Sequence, residues 1–135
     1  GFKKCLYPTQ KFDSDPERRF AIVLESDPAV LKWFKPGKAV FQIRYTADHD
    51  YEPDFVLETE TEKLLCEPKR GDQMKDPVVL AKARAAVTWC KHATAYEMAN
   101  SGKPWRYVLI PHDAITHNAT IAGLVKNYNS APDSP

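Results

Sequence analysis

Two carboxylates and a lysine occur at a spacing that suits metal-dependent chemistry on phosphate. Asp54 follows Pro53, and Glu67 and Lys69 flank Pro68 a short distance further along the chain. Carboxylate oxygens are the hard ligands that Mg²⁺ prefers, and Mg²⁺ usually shares its remaining positions with waters and a phosphate. A lysine beside such an ion can orient or deprotonate water and stabilise the charge that develops on phosphorus. These residue types therefore predict a site for phosphate chemistry, provided that the chain brings them together.

The pattern between these residues predicts how they meet. Two short apolar runs are separated by the polar segment 58–62, which is typical of a β-hairpin. Side chains alternate across a strand, so Glu67 and Lys69 should project from one face. A closed hairpin would place Asp54 near both of them, at one rim of a sheet. The alternative is a solvated acidic hairpin with an ordinary surface ion pair, because each of these residue types is common.

Caps, apolar periodicity and turn residues predict the elements around the hairpin. In chain order we expect helices over about 15–26 and 29–34, a strand over 40–45, the hairpin, a long helix over 78–99, a strand over 105–110 and a weaker helix over 113–126. The resulting α-β-β-β-α-β order predicts an α/β fold with a mixed central sheet flanked by helices. We expect a single domain over residues 1–128 and a disordered tail over 129–135.

Composition places the chain among ordinary globular domains. Of its 135 residues, 43% are apolar and 27% are charged, and no run approaches the roughly 20 apolar residues of a membrane span. The three cysteines lack CxxC spacing, so neither a disulfide framework nor a zinc site is indicated, and we expect a cytoplasmic location. A net charge of +1 does not indicate a nucleic-acid binder and does not exclude one. Because the chain begins at Gly1 without a methionine, we expect a domain excised from a larger protein.

Pro53-Asp54 followed by Glu67-Pro68-Lys69 resembles the PD-(D/E)xK nuclease superfamily. The wider string is similar to the C-terminal endonuclease domain of the restriction subunits of type III restriction enzymes and to related helicase-nucleases, through Phe12-Asp13-Ser14, Glu17-Arg18, Tyr51-Glu52-Pro53-Asp54-Phe55 and the Trp89 helix. The resemblance implies a restriction-endonuclease-like core that cleaves DNA with Mg²⁺, for which Mn²⁺ can substitute. It also implies a helicase motor elsewhere in the full-length protein and allows for a partner subunit that recognises the DNA sequence.

The resemblance assigns a role to each residue of the motif. Asp54, Glu67 and the backbone carbonyl of Pro68 would hold the ion, and Lys69 would be the catalytic lysine. A proline in the middle position removes a ladder N–H but leaves the carbonyl intact. The alternative for Lys69 is a salt bridge that neutralises the two carboxylates, and both roles are compatible, because neighbouring carboxylates without a cation repel each other.

Two interpretations of Glu17 stay open. With Ser14 as the helix cap, Ser-x-x-Glu is a capping box in which the glutamate folds back on the start of its own helix. In nucleases that the motif resembles, a glutamate on the first helix reaches the metal site directly or through water. One side chain cannot easily do both.

Four further residues are candidates for contact with DNA. Gln73 and Lys82 follow the motif where related enzymes place groups that contact phosphate, and Arg70 and Lys75 could add a basic rim. A solvated surface is the alternative for all four. The competing functional class is a nucleic-acid-binding or docking module that keeps the fold without cleavage, and RNA also stays open as the substrate.

Overall fold

A five-stranded mixed sheet with helices on both faces organises the protein. The computed structural model describes residues 1–7 and 9–130. The elements in chain order are α1 (Asp15–Ser26), β1 (Val30–Phe34), β2 (Ile43–Arg44), β3 (Asp50–Tyr51), β4 (Phe55–Thr59), β5 (Lys63–Lys69), α2 (Pro77–Ala99), β6 (Trp105–Pro111), α3 (Ile121–Tyr128) and β7 (Asn129–Ser130). None of the helices in this part of the chain is long and apolar enough to cross a membrane.

The sheet has the strand order β1-β4-β5-β6-β7. Its pairs are antiparallel except for β5 and β6, which run parallel and are joined by α2. Parallel neighbours need such a crossover, because the chain must return to the other end of the sheet before the second strand begins. Strands β2 and β3 form a separate two-stranded hairpin. The mixed α/β architecture predicted from the sequence is confirmed.

The alternation of side chains along the strands divides the core into two layers. One layer packs under α1 and α3, where the sheet contributes Phe55, Leu57, Leu64, Cys66, Val108 and Ile110. The other packs under α2, where the sheet contributes Val56, Leu65, Tyr107 and Leu109 opposite small helix residues such as Ala83 and Ala86. Each large apolar side chain buried in this way stabilises the fold by about 1.5–3 kcal/mol. The residues Asp54, Glu67 and Lys69 continue the alternation of the layer under α2.

Side-chain caps determine where the two main helices begin. The Ser14 hydroxyl accepts a hydrogen bond from the Glu17 N–H at 3.4 Å, at the start of α1. Asp76 accepts from the N–H groups of Val78 and Val79 at 2.9 and 3.3 Å, at the start of α2. Both caps precede a proline in the first turn, which suits the fixed proline φ angle. The helices predicted over 15–26 and 78–99 are therefore confirmed, with α2 starting one residue earlier.

The helix predicted over residues 29–34 is wrong, because this segment forms β1. Its register on β4 shifts between Val30 and Lys32, which marks a β-bulge. Because of the extra residue, Val30 and Trp33 lie on the same face of the strand although they are three residues apart, and both are buried. A bulged strand therefore shows the apolar spacing of a helix. Pairing with β4 decides the outcome, since a segment this short has little helical stability of its own.

The strand predicted over residues 40–45 is largely wrong. Only Ile43–Arg44 is extended, and it pairs with Asp50–Tyr51 outside the main sheet. A turn occupies the preceding residues: the Val40 N–H donates to the Gly37 carbonyl at 3.1 Å, and Ala39 has a left-handed φ of 66°. This turn overrides the β-propensity of Val40. In the main sheet, β1 occupies the place beside the hairpin that the strand over 40–45 was expected to fill.

The C-terminal region also differs from its prediction. The predicted helix over 113–126 is replaced by a 3-10 turn at His112–Ala114, a loop, and α3, which begins late because Thr120 provides its cap. Asn129–Ser130 pairs with β6, so the prediction of disorder from residue 129 is wrong for these two residues. Residues 131–135, the rest of the predicted tail, lie outside the described residues.

Asp27 connects two helices that are far apart in sequence. Its buried carboxylate accepts from the Ile121 N–H at 2.8 Å, at the start of α3, and from the Ala29 N–H at 2.9 Å. Asp27→Ala leaves both donors unpaired and should lower the free energy of unfolding by about 1–3 kcal/mol, as measured by urea denaturation. Asp48→Ala, in an exposed turn, is the matched control and should cost less than about 0.5 kcal/mol. Equal losses in the two variants would contradict this role of Asp27.

Candidate active site

The β4–β5 hairpin sets Asp54 opposite Glu67. Its register pairs Phe55 with Cys66, and one further step along the antiparallel ladder brings Asp54 across from Glu67. Directly opposed residues on antiparallel strands have Cβ atoms about 4.5–5.5 Å apart and project from the same face. The two carboxylates predicted to meet therefore do so, at the end of the sheet where β4 begins and β5 ends.

The turn of the hairpin determines this register. The Thr59 N–H donates to the Glu62 carbonyl at 2.9 Å, and the Thr59 hydroxyl accepts from the N–H groups of Thr61 and Glu62 at 3.3 and 3.2 Å. A slip of one residue would turn every following side chain to the opposite face. The polar segment 58–62 thus fixes the register that keeps Asp54 opposite Glu67 at the other end of the hairpin.

A cavity of about 320 Å³ opens beside the two carboxylates on the α2 face. Its lining includes both of them together with Lys69 at the end of β5 and Lys82 from α2. The remaining lining residues are Gln42, Asp50, Tyr51, Glu52 and Val79. Four carboxylates and two ammonium groups thus line one solvent-connected space, which is a suitable arrangement for binding a cation and an anion side by side.

Glu67 is buried with part of its hydrogen-bonding capacity unused. Only 5% of the Glu67 surface is exposed, and its Oε1 atom is buried without a hydrogen-bond partner. Burial raises the pKa of Glu67, and the negative charge of Asp54 raises it further, against the opposing charges of Lys69 and Lys82. An unpaired buried polar group costs about 1–3 kcal/mol. The protein therefore retains an unfavourable acidic group at this position.

Asp54 experiences the same environment. Burial is the main cause that raises its pKa, while the charge of Lys35 opposes the shift most strongly. Both carboxyls therefore resist ionisation more than they would in an unfolded chain. A divalent cation placed between them would favour the ionised forms, because an opposite charge at close range lowers a carboxyl pKa.

The available donors fit one magnesium ion rather than a closed metal cage. Within residues 1–7 and 9–130, no group of three or more His, Cys, Asp or Glu side chains is placed to hold a metal ion. Asp54 and Glu67 offer two carboxylates, and the carbonyl of Pro68 adjoins them in the chain. Mg²⁺ is commonly held by one or two carboxylates, with waters and phosphate completing its shell. The unpartnered Glu67 Oε1 is the observation that favours such a ligand.

Of the four residues predicted to contact DNA, Lys82 is the one that lines the cavity. Its Nζ lies 5.3 Å from the centroid of the Tyr45 ring and 5.9 Å from that of Tyr51, so cation–π contacts hold it in place. Gln73 and Lys75 are exposed, on and just after the 3-10 turn that follows β5.

Arg70 has a local partner instead of a place in the cavity. Its guanidinium donates two hydrogen bonds to the Asp72 carboxylate, at 3.0 and 2.7 Å, and both side chains are largely exposed. An exposed pair of this kind can exchange its partner for a phosphate at little cost, because surface ion pairs contribute little free energy.

Glu17 follows neither interpretation completely. Its N–H donates to Ser14, which is half of a capping box. Its Oε1 lies 2.9 Å from the Lys35 Nζ, in an ion pair whose angles fall outside hydrogen-bond geometry. Each of these two side chains is 13% exposed. The carboxylate therefore points toward Lys35 and the Asp54 end of the sheet rather than back to the start of α1.

Sequence reasoning missed two residues at this site. The sequence does not reveal Lys35, because its position depends on β1 being a strand beside β4. Tyr51 belongs to the string that resembles the nuclease family, and it lines the cavity with a buried hydroxyl that has no hydrogen-bond partner. Tyr51 is only 7% exposed. Because Tyr51 stands three residues before Asp54, alternation along one strand would place the two on opposite faces. Periodicity therefore does not reveal that Tyr51 reaches the cavity from the separate β2–β3 hairpin.

Comparisons with protein-family models, with curated proteins and with solved structures found no match for this chain. The functional assignment therefore depends on the residues of the motif and on the geometry of the cavity.

The buried carboxyls predict a specific dependence of stability on pH in metal-free buffer. Glu67 is protonated in both states below its ordinary pKa of about 4.3. As pH rises, the unfolded chain ionises first, because burial raises the pKa of Glu67 in the folded protein. The stability contribution is therefore full at low pH and is lost as pH rises through the raised pKa.

Glu67→Gln cannot ionise and should escape this loss. Between about pH 4.5 and pH 8, urea denaturation should show wild type losing on the order of 2 kcal/mol relative to Glu67→Gln. Glu60→Gln, in the exposed turn of the same hairpin, is the matched control and should follow the wild-type profile. Parallel pH profiles for wild type and Glu67→Gln would contradict the burial described above.

Proposed function

We propose that this protein is a Mg²⁺-dependent nuclease domain that hydrolyses phosphodiester bonds in DNA. The observation that carries the proposal is the unpartnered, buried Glu67 carboxylate beside Asp54, in one cavity with Lys69 and Lys82. A carboxylate pair that destabilises the fold is best explained by a cation that it binds. Two lysines that face the same cavity are best explained by an anionic substrate.

Each residue of the cavity has a distinct task in this proposal. Asp54 and Glu67 hold the ion, together with the carbonyl of Pro68. When bound, Mg²⁺ lowers the pKa of coordinated water and offsets the negative charge of the phosphate. The carboxylates must be ionised for this role, so ion binding should strengthen as pH rises.

Lys69 positions the attacking water and stabilises the charge that develops on the phosphate oxygens. It follows Glu67 on the same face of β5, so strand alternation delivers the ammonium group beside the ligand carboxylate. Lys82 binds the substrate phosphate from the opposite wall, with its position set by Tyr45 and Tyr51. Fixed donors of this kind work best in a site that excludes bulk water, where charges are poorly screened.

The order of the core elements supports assignment to the PD-(D/E)xK superfamily. Without the β2–β3 hairpin, the elements α1, β1, β4, β5, α2 and β6 follow the α-β-β-β-α-β order of a restriction-endonuclease-like core. The motif residues occupy the ends of the two middle strands. By the same resemblance, we propose a helicase motor elsewhere in the full-length protein and a DNA-recognition subunit as a partner.

The competing proposal is a docking or nucleic-acid-binding module without cleavage. A docking surface has no need of a buried carboxylate pair, because exposed lysines alone bind a phosphate backbone. The complete set of Asp54, Glu67 and Lys69 in one cavity therefore favours catalysis over docking.

Plasmid cleavage tests the proposed activity. Wild type with Mg²⁺ should nick or linearise supercoiled DNA, and EDTA should abolish the reaction. Lys69→Ala removes a donor to the transition state and should lower the rate by about 10²–10³-fold. Lys63→Ala is the matched control, because Lys63 begins the same strand at its opposite end, where it pairs with Glu97.

Cleavage that persists in EDTA, or that Lys69→Ala leaves unchanged, would contradict this mechanism. DNA binding without cleavage in the complete protein would favour the docking alternative. A parallel assay with RNA of the same sequence determines which sugar the site accepts, and the proposal predicts faster cleavage of DNA.

A further inference from the structure

A lysine is packed among acidic groups on the α1 side of the site. Lys35 immediately follows β1, and its Nζ lies 2.9 Å from Glu17 Oε1. The same Nζ lies 5.5 Å from the ring centroid of Phe55, the residue next to Asp54. Only 13% of each side chain in the ion pair is exposed. The ammonium group is thus held by a charge and by an aromatic face, away from bulk solvent.

Lys35 acts electrostatically on both carboxylates of this side. It pairs directly with Glu17, and among the charges that lower the pKa of Asp54 its contribution is the largest. Glu17 contributes in the opposite direction and raises the pKa of Asp54. Lys35 thus opposes the negative charges of Glu17 and Asp13 around Asp54, together with Lys69.

A second divalent ion would need a further carboxylate close to the first ion. In two-metal phosphate sites the ions lie about 3.5–4 Å apart. A carboxylate between the two ions can serve both. Asp54 would be that shared ligand here, and Glu17 would be the added ligand of the second ion. Lys35 already neutralises Glu17 in an ion pair, so a second ion would have to displace its ammonium group.

We infer that Lys35 takes the place of a second divalent ion between Glu17 and Asp54, so that the site binds one metal ion. The inference rests on the proposed function, because it assumes that Asp54 and Glu67 bind the first ion. In such a site, a single metal ion and the lysines together would stabilise the negative charge that develops on the phosphate. Glu17 is then a positioning residue for Lys35 and no metal ligand.

Metal stoichiometry tests this inference without any activity assay. Purified protein is titrated with Mn²⁺, and free Mn²⁺ is measured by electron paramagnetic resonance. Wild type should bind one ion. Lys35→Met removes the competing charge and frees Glu17, so this variant should bind two. The double variant Lys35→Met with Glu17→Gln loses the added ligand and should return to one.

Two controls separate charge from general disturbance. Lys35→Arg keeps the positive charge and should bind one ion, as wild type does. Lys32→Met makes the same substitution three residues earlier, within β1, at an exposed residue paired with Glu58, and should also leave the stoichiometry at one. Thermal melts followed by circular dichroism show which variants are folded.

The wild-type spectrum tests the inference even if Lys35→Met does not fold. Bound Mn²⁺ should give the signal of an isolated ion, and a spin-coupled pair would overturn the inference. A stoichiometry of one in folded Lys35→Met would overturn it as well, while leaving the proposed function intact. A wild-type protein that binds no Mn²⁺ would overturn the proposed function and this inference together.

Discussion

Two carboxylates at the end of the β4–β5 hairpin face each other where water cannot fully solvate them. Desolvation and mutual repulsion both favour their neutral forms. Lys35, Lys69 and Lys82 act against this, because their charges lower the pKa of one or both groups. The balance leaves a buried acidic pair whose ionisation is unfavourable, and a bound cation would reduce the repulsion between the two carboxylates.

The register of the β4–β5 hairpin places the two carboxylates opposite each other. Thr59 fixes the hairpin turn, the turn fixes which residues of β4 and β5 are opposed, and the opposed pair at the far end is Asp54 and Glu67. Helix α2 then covers the face on which both project and adds Lys82. The same architecture could support other chemistry, so the functional argument depends on the site and not on the fold alone.

Local signals made much of this arrangement predictable from the sequence. Ser14 and Asp76 caps, each followed by proline, define α1 and α2, and the alternation of 55–57 and 64–66 around a polar turn defines the hairpin. Residues 29–34 have the apolar spacing of a helix although they form β1, because a bulge places Val30 and Trp33 on the same face of the strand. Such a difference is expected where pairing with a distant strand overrides local preference.

The side chains that were missed depend on contacts between distant segments. Lys35 reaches the site only because β1 lies beside β4, and the carboxylate of Glu17 turns toward it across that junction. The partnerless hydroxyl of Tyr51 reflects packing between β3 and the main sheet, which periodicity does not reveal. Sequence motifs thus identified the two carboxylates, whereas the charged side chains that shift their pKa values required the assembled structure.

The central claim is that Asp54 and Glu67 together bind a divalent cation. Anomalous diffraction from crystals soaked in Mn²⁺ locates such an ion directly. We expect a single strong anomalous peak between the two carboxylates, within reach of the Pro68 carbonyl, and we expect this peak to disappear in Glu67→Gln crystals. Well-ordered crystals with no peak there, or with peaks only at exposed acidic residues, would contradict it.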